Sequence, residues 1–170
     1  VYTDLGVCSV RATLSDGAYR IEATVADAAG NAATPVERSF TIDATRPTLS
    51  SIVVTEDAGD DGALGIEELG AASGDVSVQV VVTLGEGVDD VALVTLTNTD
   101  MGGSWEASPV EGVATFDGVT MQQGTNALRV NAPDDYGNSV EQGVISPRAF
   151  AVDTVPPSVQ IVFPVANNLL

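Results

Sequence analysis

One eight-residue stretch occurs twice, and its recurrence limits what the chain can fold into. Phe40-Thr-Ile-Asp-Ala-Thr-Arg-Pro47 returns as Phe150-Ala-Val-Asp-Thr-Val-Pro-Pro157, with Phe, Asp and Pro aligned 110 residues apart. In each copy an alternating apolar run stops at an Asp and a Pro-bearing spacer follows. A second alternating run then opens, Thr48–Thr55 or Ser158–Phe163. Proline has no N–H to give to a sheet ladder, so a strand ends there and the chain stiffens without closing a tight hairpin. One seam alone reads equally well as an ordinary turn between strands. Self-similarity at a fixed spacing instead marks repeated modules. Four turn residues repeat in step with the seams: Gly17 and Gly124, Asp27 and Asp134, Gly30 and Gly137, Asn31 and Asn138 each lie 107 apart. The remaining three residues of the period fall as an insertion between Asn138 and Phe150.

The period divides the 170 residues into the closing part of one module (1–45), a complete module (46–154) and the first strand of a third (155–170). On this reading the chain is a piece of a longer polypeptide. Apolar alternation of period two predicts strands near Tyr19–Val25 and Thr34–Ile42. Val7–Leu14 alternates more loosely. In the central module, strands are expected over Leu49–Thr55, Val76–Leu84, Val91–Leu96, Ser104–Ser108, Val113–Val119, Ala127–Ala132 and Val144–Val152. A long acidic loop covers Glu56–Ser73. Seven short strands with frequent turn signals and no helical period predict an all-β sandwich. A helix beyond about three turns is expected nowhere outside 63–73.

Aromatics make up only 5% of the chain, so the core must be built from Val, Ile, Leu and Ala. The net charge is −18, with six Arg and no Lys. Such a surface repels nucleic acid and anionic lipid, so neither is an expected partner. It calls for compensation by salt or divalent cations, both more available outside a cell. No His is present and Cys8 is the only cysteine, which excludes a Cys/His zinc centre, a His-based triad and an internal disulfide in this segment. Cys8 reads as a small buried hydrophobe or as the partner of a cysteine outside the segment. No apolar run reaches the length of a membrane span, so no membrane insertion is expected. Glu67/Glu68 and Asp89/Asp90 are adjacent acids on turns, whereas glycoside hydrolysis needs two carboxyls facing across a cleft. No enzymatic activity is expected. Trp105 has no aromatic neighbours in sequence and is expected as core or edge cover.

Asp57-Ala-Gly-Asp-Asp-Gly-Ala-Leu-Gly-Ile-Glu-Glu68 follows the twelve-residue spacing of a calcium loop. Asp57 takes position 1, Asp61 position 5, Gly62 the sharp turn at 6, the Ala63 carbonyl position 7, Leu64 the inward position 8 and Glu68 the bidentate position 12. Gly59 at position 3 offers no ligand, so Asp60 or a water would have to compensate. The alternative is a solvated acidic turn. Strand direction places this loop near the exit seam at Asp153, and the Asp134–Asn138 loop at the entry seam near Asp43. Asp43, Asp134 and Asp153 are therefore a second candidate calcium set, stiffening the links between modules. For Asp43 and Asp153 the competing reading is plain strand termination.

Gly118-Val-Thr-Met-Gln-Gln-Gly-Thr-Asn-Ala-Leu-Arg-Val-Asn-Ala-Pro-Asp-Asp-Tyr-Gly-Asn138, closing at Val152-Asp-Thr-Val-Pro-Pro157, resembles the bacterial Ig-like repeats of large surface and secreted proteins. Gly17–Pro47, with its Asp-Ala-Ala-Gly-Asn, is similar. The resemblance implies tandem immunoglobulin-like sandwiches in an adhesin, biofilm or filament protein, extracellular or at the cell surface. Expected partners are neighbouring modules of the same protein, copies of itself or extracellular ligands. The alternative is an accessory carbohydrate-binding or spacer module of a secreted hydrolase. That role calls for an aromatic platform, and Tyr2, Tyr19, Tyr136 and Trp105 are dispersed.

Overall fold

The computed structural model describes residues 9–88, 90–140 and 145–162. Cys8 and the start of the Val7–Leu14 run lie outside these. The fold divides into two units, Val1–Thr45 and Arg46–Leu170.

In the first unit, β1 (Gly17–Ala23) and β2 (Val36–Ile42) form an antiparallel pair. Tyr19 and Phe40 meet across the pair with stacked rings, centroids 5.7 Å apart. Residues 9–15 form no strand, so the loose alternation there does not become a ladder.

The second unit is nearly all-β, with the character of a sandwich. Its strands are β3 (Leu49–Val54), β4 (Ala63–Gly65), β5 (Val76–Leu84), β6 (Val94–Asn98), β7 (Gly103–Ala107), β8 (Val113–Met121), β9 (Gly124–Asn131) and β10 (Arg148–Asp153). They make a three-stranded sheet, β3-β5-β8, and a five-stranded sheet, β4-β10-β9-β6-β7. Inward residues of both sheets join one core cluster. Strand β5 shows why: Val76, Val78, Val80, Val82 and Leu84 are buried, while Ser77, Gln79 and Thr83 alternate with them. On β8 the alternation skips a residue. Phe116 and Val119 are both buried, because a bulge around Asp117-Gly118 (Gly118 φ 72°) puts Val119 opposite Val78 but Phe116 opposite Val80.

Three sequence expectations need correction. The Glu56–Ser73 stretch contains β4 and a one-turn helix α1 (Ile66–Leu69), since Leu64 is buried and draws its neighbours into the sheet beside β10. Residues 91–93 lie outside β6: Val91 is buried, but its N–H closes a turn on the Val88 carbonyl. The strand expected from Ser158 is not formed over 158–162, where Val159 is 91% and Ile161 84% exposed; Phe163 lies outside the described residues. A ladder needs a neighbouring strand, and the described residues offer none there.

Candidate functional site

The acidic loop joins the two sheets of the second unit, because β3 lies in one and β4 in the other. Asp57 is buried at its base. Its Oδ1 accepts the Asp61 N–H at 3.2 Å and its Oδ2 the Gly62 N–H at 2.9 Å. Gly62 turns at φ 78°, a conformation that favours glycine, and a Cβ there would meet the Ala149 carbonyl at 3.3 Å. The chain then enters β4, which pairs in parallel with β10: Ala63 opposite Ala151, Leu64 opposite Val152, Gly65 opposite Asp153. Glu68 reaches back from α1. Its Oε2 accepts the Gly65 N–H at 3.0 Å and its Oε1 the Ala58 N–H at 3.1 Å.

All donors proposed for calcium are hard oxygens, which suits that ion. Their present partners are protein groups. Asp57 and Glu68 each hold two backbone amides, Asp61 Oδ1 accepts the Ala63 N–H at 2.8 Å, and Asp60, at φ 48°, gives its carboxylate to Arg148. Asp57, Asp61 and Glu68 do not all bring a carboxylate oxygen within 4.8 Å of one another. The structure therefore gathers the predicted residues into one closed loop held by its own hydrogen bonds.

The loop lies beside the exit seam, where strand direction places it. Thr154, fully buried, donates its hydroxyl to the Ala72 carbonyl at 3.1 Å and accepts from Gln123 Nε2 at 2.8 Å, and its N–H reaches Gln123 Oε1 at 3.1 Å. Asp153 accepts the Val155 N–H at 3.2 Å, and Asp43, in the first unit, accepts the Thr45 N–H at 2.9 Å. Both seam aspartates thus turn the chain onto the residue two ahead, the strand-terminating device.

The recurring loops coincide atom for atom. Asp27 Oδ1 accepts the Ala29 and Asn31 N–H groups, and its Oδ2 accepts Asn31 Nδ2 at 2.7 Å. Asp134 Oδ1 accepts the Tyr136 and Asn138 N–H groups, and its Oδ2 accepts Asn138 Nδ2 at 2.8 Å. Gly30 (φ 91°) and Gly137 (φ 88°) take the same turn. The side-chain and backbone bonds from Asn31 lead in holding the Asp27 carboxyl below its ordinary value. Burial pushes the Asp134 carboxyl up, but the bonds from Asn138, Tyr136 and Gly137 together outweigh it, and the net shift is again downward. The flanking strands agree as closely. Gly17 opposite Ile42, Tyr19 opposite Phe40 and Ile21 opposite Arg38 in β1–β2 map onto Gly124 opposite Val152, Asn126 opposite Phe150 and Leu128 opposite Arg148 in β9–β10.

Sequence reasoning missed three features of the second unit. Arg148 crosses from β10 to the Ile52 carbonyl and Asp60, with its guanidinium 5.0 Å from the centre of the Phe150 ring. Asn98 and Asn126 form a buried pair at 2.9 Å, with backbone carbonyls taking their remaining amide hydrogens. Asp90 has a carboxylate oxygen within 4.8 Å of one on Asp134. The Asp-x-x-Gly-Asn spacing could have pointed to the loops, but nothing in the sequence links Arg148 to Asp60. Trp105 is half-buried on β7, its ring packed over Gly103 and against the core. No protein family and no curated protein matches this chain.

Proposed function

We propose that this chain is a structural segment of a bacterial extracellular surface or filament protein, built of tandem Ig-like sandwiches and acting as spacer and scaffold. The observation that carries the reading is the recurrence of one strand pair, in one register, with one Asp-Gly-Asn loop, in both units. Strand order supports the Ig-like assignment. If β3, β5 and β8 are strands A, B and E, then β6, β9 and β10 are C, F and G, and the facing sheet carries the C-F-G core of an immunoglobulin sandwich. Calcium at Asp57, Asp61, the Ala63 carbonyl and Glu68 is part of the proposal, as a stiffener of the loop against the exit seam.

The parallel pairing of β4 with β10 suits a part under tension. The second unit is entered upstream of β4 and left at the end of β10, so pulling on its two ends slides these strands in opposite directions. Their hydrogen bonds then load together instead of breaking one after another. The test is to stretch the full chain by its ends. The second unit should open in one cooperative event that releases roughly 109 residues, on the order of 350 Å of chain at about 3.3 Å per residue. Gradual extension without such an event would overturn the scaffold reading.

A further inference from the structure

The β1–β2 pair has the pattern of an inner sandwich face. In β9–β10 the corresponding face is Asn126, Leu128, Val130, Phe150 and Val152, all buried to 2% exposure or less. Its counterparts by register are Tyr19, Ile21, Ala23, Phe40 and Ile42. These are not sealed: Ile21 is 56% exposed, and an apolar groove runs between it, Tyr19 and Phe40 on one side and Val10 and Leu14 on the other. The edges correspond too. Strand β4 lies along Ala151–Asp153 and β6 along Leu128–Asn131. The same places on the first unit are Thr41–Asp43 and Ile21–Thr24, and beyond the β1–β2 pairing itself no further strand lies along either among the described residues. Arg38 occupies the register position of Arg148. Arg148 fastens a first strand and its acidic loop to the last strand, whereas Arg38 makes no ion pair among the described residues.

We infer that the β1–β2 hairpin is a docking surface for one kind of occupant, polypeptide of the same module class that supplies a first strand and acidic loop as β3, Asp60 and β4 do. The strand after that loop lies parallel to Thr41–Asp43, apolar residues cover Ile21 and Phe40, and an aspartate meets Arg38. The inference rests on the repeat reading above and adds to it a face, two edges and a charge clamp. An aspartate is the complement expected for Arg38, because a guanidinium pairs with a carboxylate with directional strength that a neutral group lacks.

The test compares amide hydrogen exchange in the full chain with that in a chain where residues 46–123 replace residues 1–16 and run directly into Gly17. This supplies the hairpin with every strand that β9–β10 has around it. A second version carries Tyr19→Asn, because Tyr19 stands where Asn126 pairs with Asn98. Exchange at Ile21–Thr24 and Thr41–Asp43 is expected to slow by on the order of 100-fold in at least one version. Arg38→Glu should reverse the slowing at Thr41–Asp43 and leave Ala151–Asp153 protected. The inference falls if neither version slows these amides while Ala151–Asp153 stay protected, or if they are already as slow in the unmodified chain. The stretching experiment reads the second unit alone, so failure there and failure here are separate results.

Discussion

Asp27 and Asp134 do the same work at residue scale, each closing a five-residue loop onto an Asn. Both carboxyls sit below the ordinary value of 3.8 when folded. The unfolded chain therefore binds their protons more readily, and stability rises with pH through this range. Their contribution is fully present above about pH 4 and is lost as pH falls through the lowered folded values. Thermal melts from neutral pH down to about pH 2.5 should show this loss, and Asp134→Ala should flatten it. Arg148 acts over a longer distance. Arg148→Ala leaves the Ile52 carbonyl and the face of Phe150 without their partner, and should cost about 1–3 kcal/mol in denaturant unfolding. Asp60→Asn should cost under about 1 kcal/mol, because its carboxylate is mostly exposed.

At the scale of elements, the stretch from β3 through the acidic loop to α1 holds itself together by its own amides and, on the proposal above, would also take calcium. Glu68 caps the Gly65 and Ala58 amides whatever the solvent contains. Glu68→Ala should therefore lower stability by about 1 kcal/mol even in chelator. The proposed calcium would add a separate effect. At ten times its dissociation constant, one bound ion raises stability by about 1.4 kcal/mol. Melting of the full chain in millimolar calcium and in chelator should differ by that amount, the difference should vanish in Glu68→Ala, and Glu67→Ala should retain it. Equal melting in the two conditions would reduce the loop to an acidic turn held by its own amides.

Across the whole molecule the net charge is −18 on 170 residues. Like charges at this density repel within the compact state. Raising monovalent salt from about 0.01 M to 0.15 M shortens the screening length from about 30 Å to about 8 Å and should raise the melting temperature. Salt that left melting unchanged would show the acids to be compensated locally, as Asp60 is by Arg148. No described helix is long and apolar enough to cross a membrane.

The sequence by itself determined what a few neighbouring residues settle among themselves. The Asp-x-x-Gly-Asn loops were legible because all their bonds close within four residues and the glycine supplies the positive φ. Strand β5 was legible because an apolar residue returns at every second position from Val76 to Leu84, with Val81 as the one valine on the other face. In the acidic loop, the turn at Gly62 and the burial of Leu64 follow from spacing alone. Other decisions needed the tertiary structure. Whether β4 stays with β3 or crosses to β10 depends on which edge is open once the other strands have paired. The bulge that buries both Phe116 and Val119 follows from register against β5. Asp60, which the sequence offers alongside a water to compensate for Gly59, pairs with Arg148, 88 residues away. Partners so far apart are chosen by the meeting of whole strands, and local periodicity carries no record of that choice.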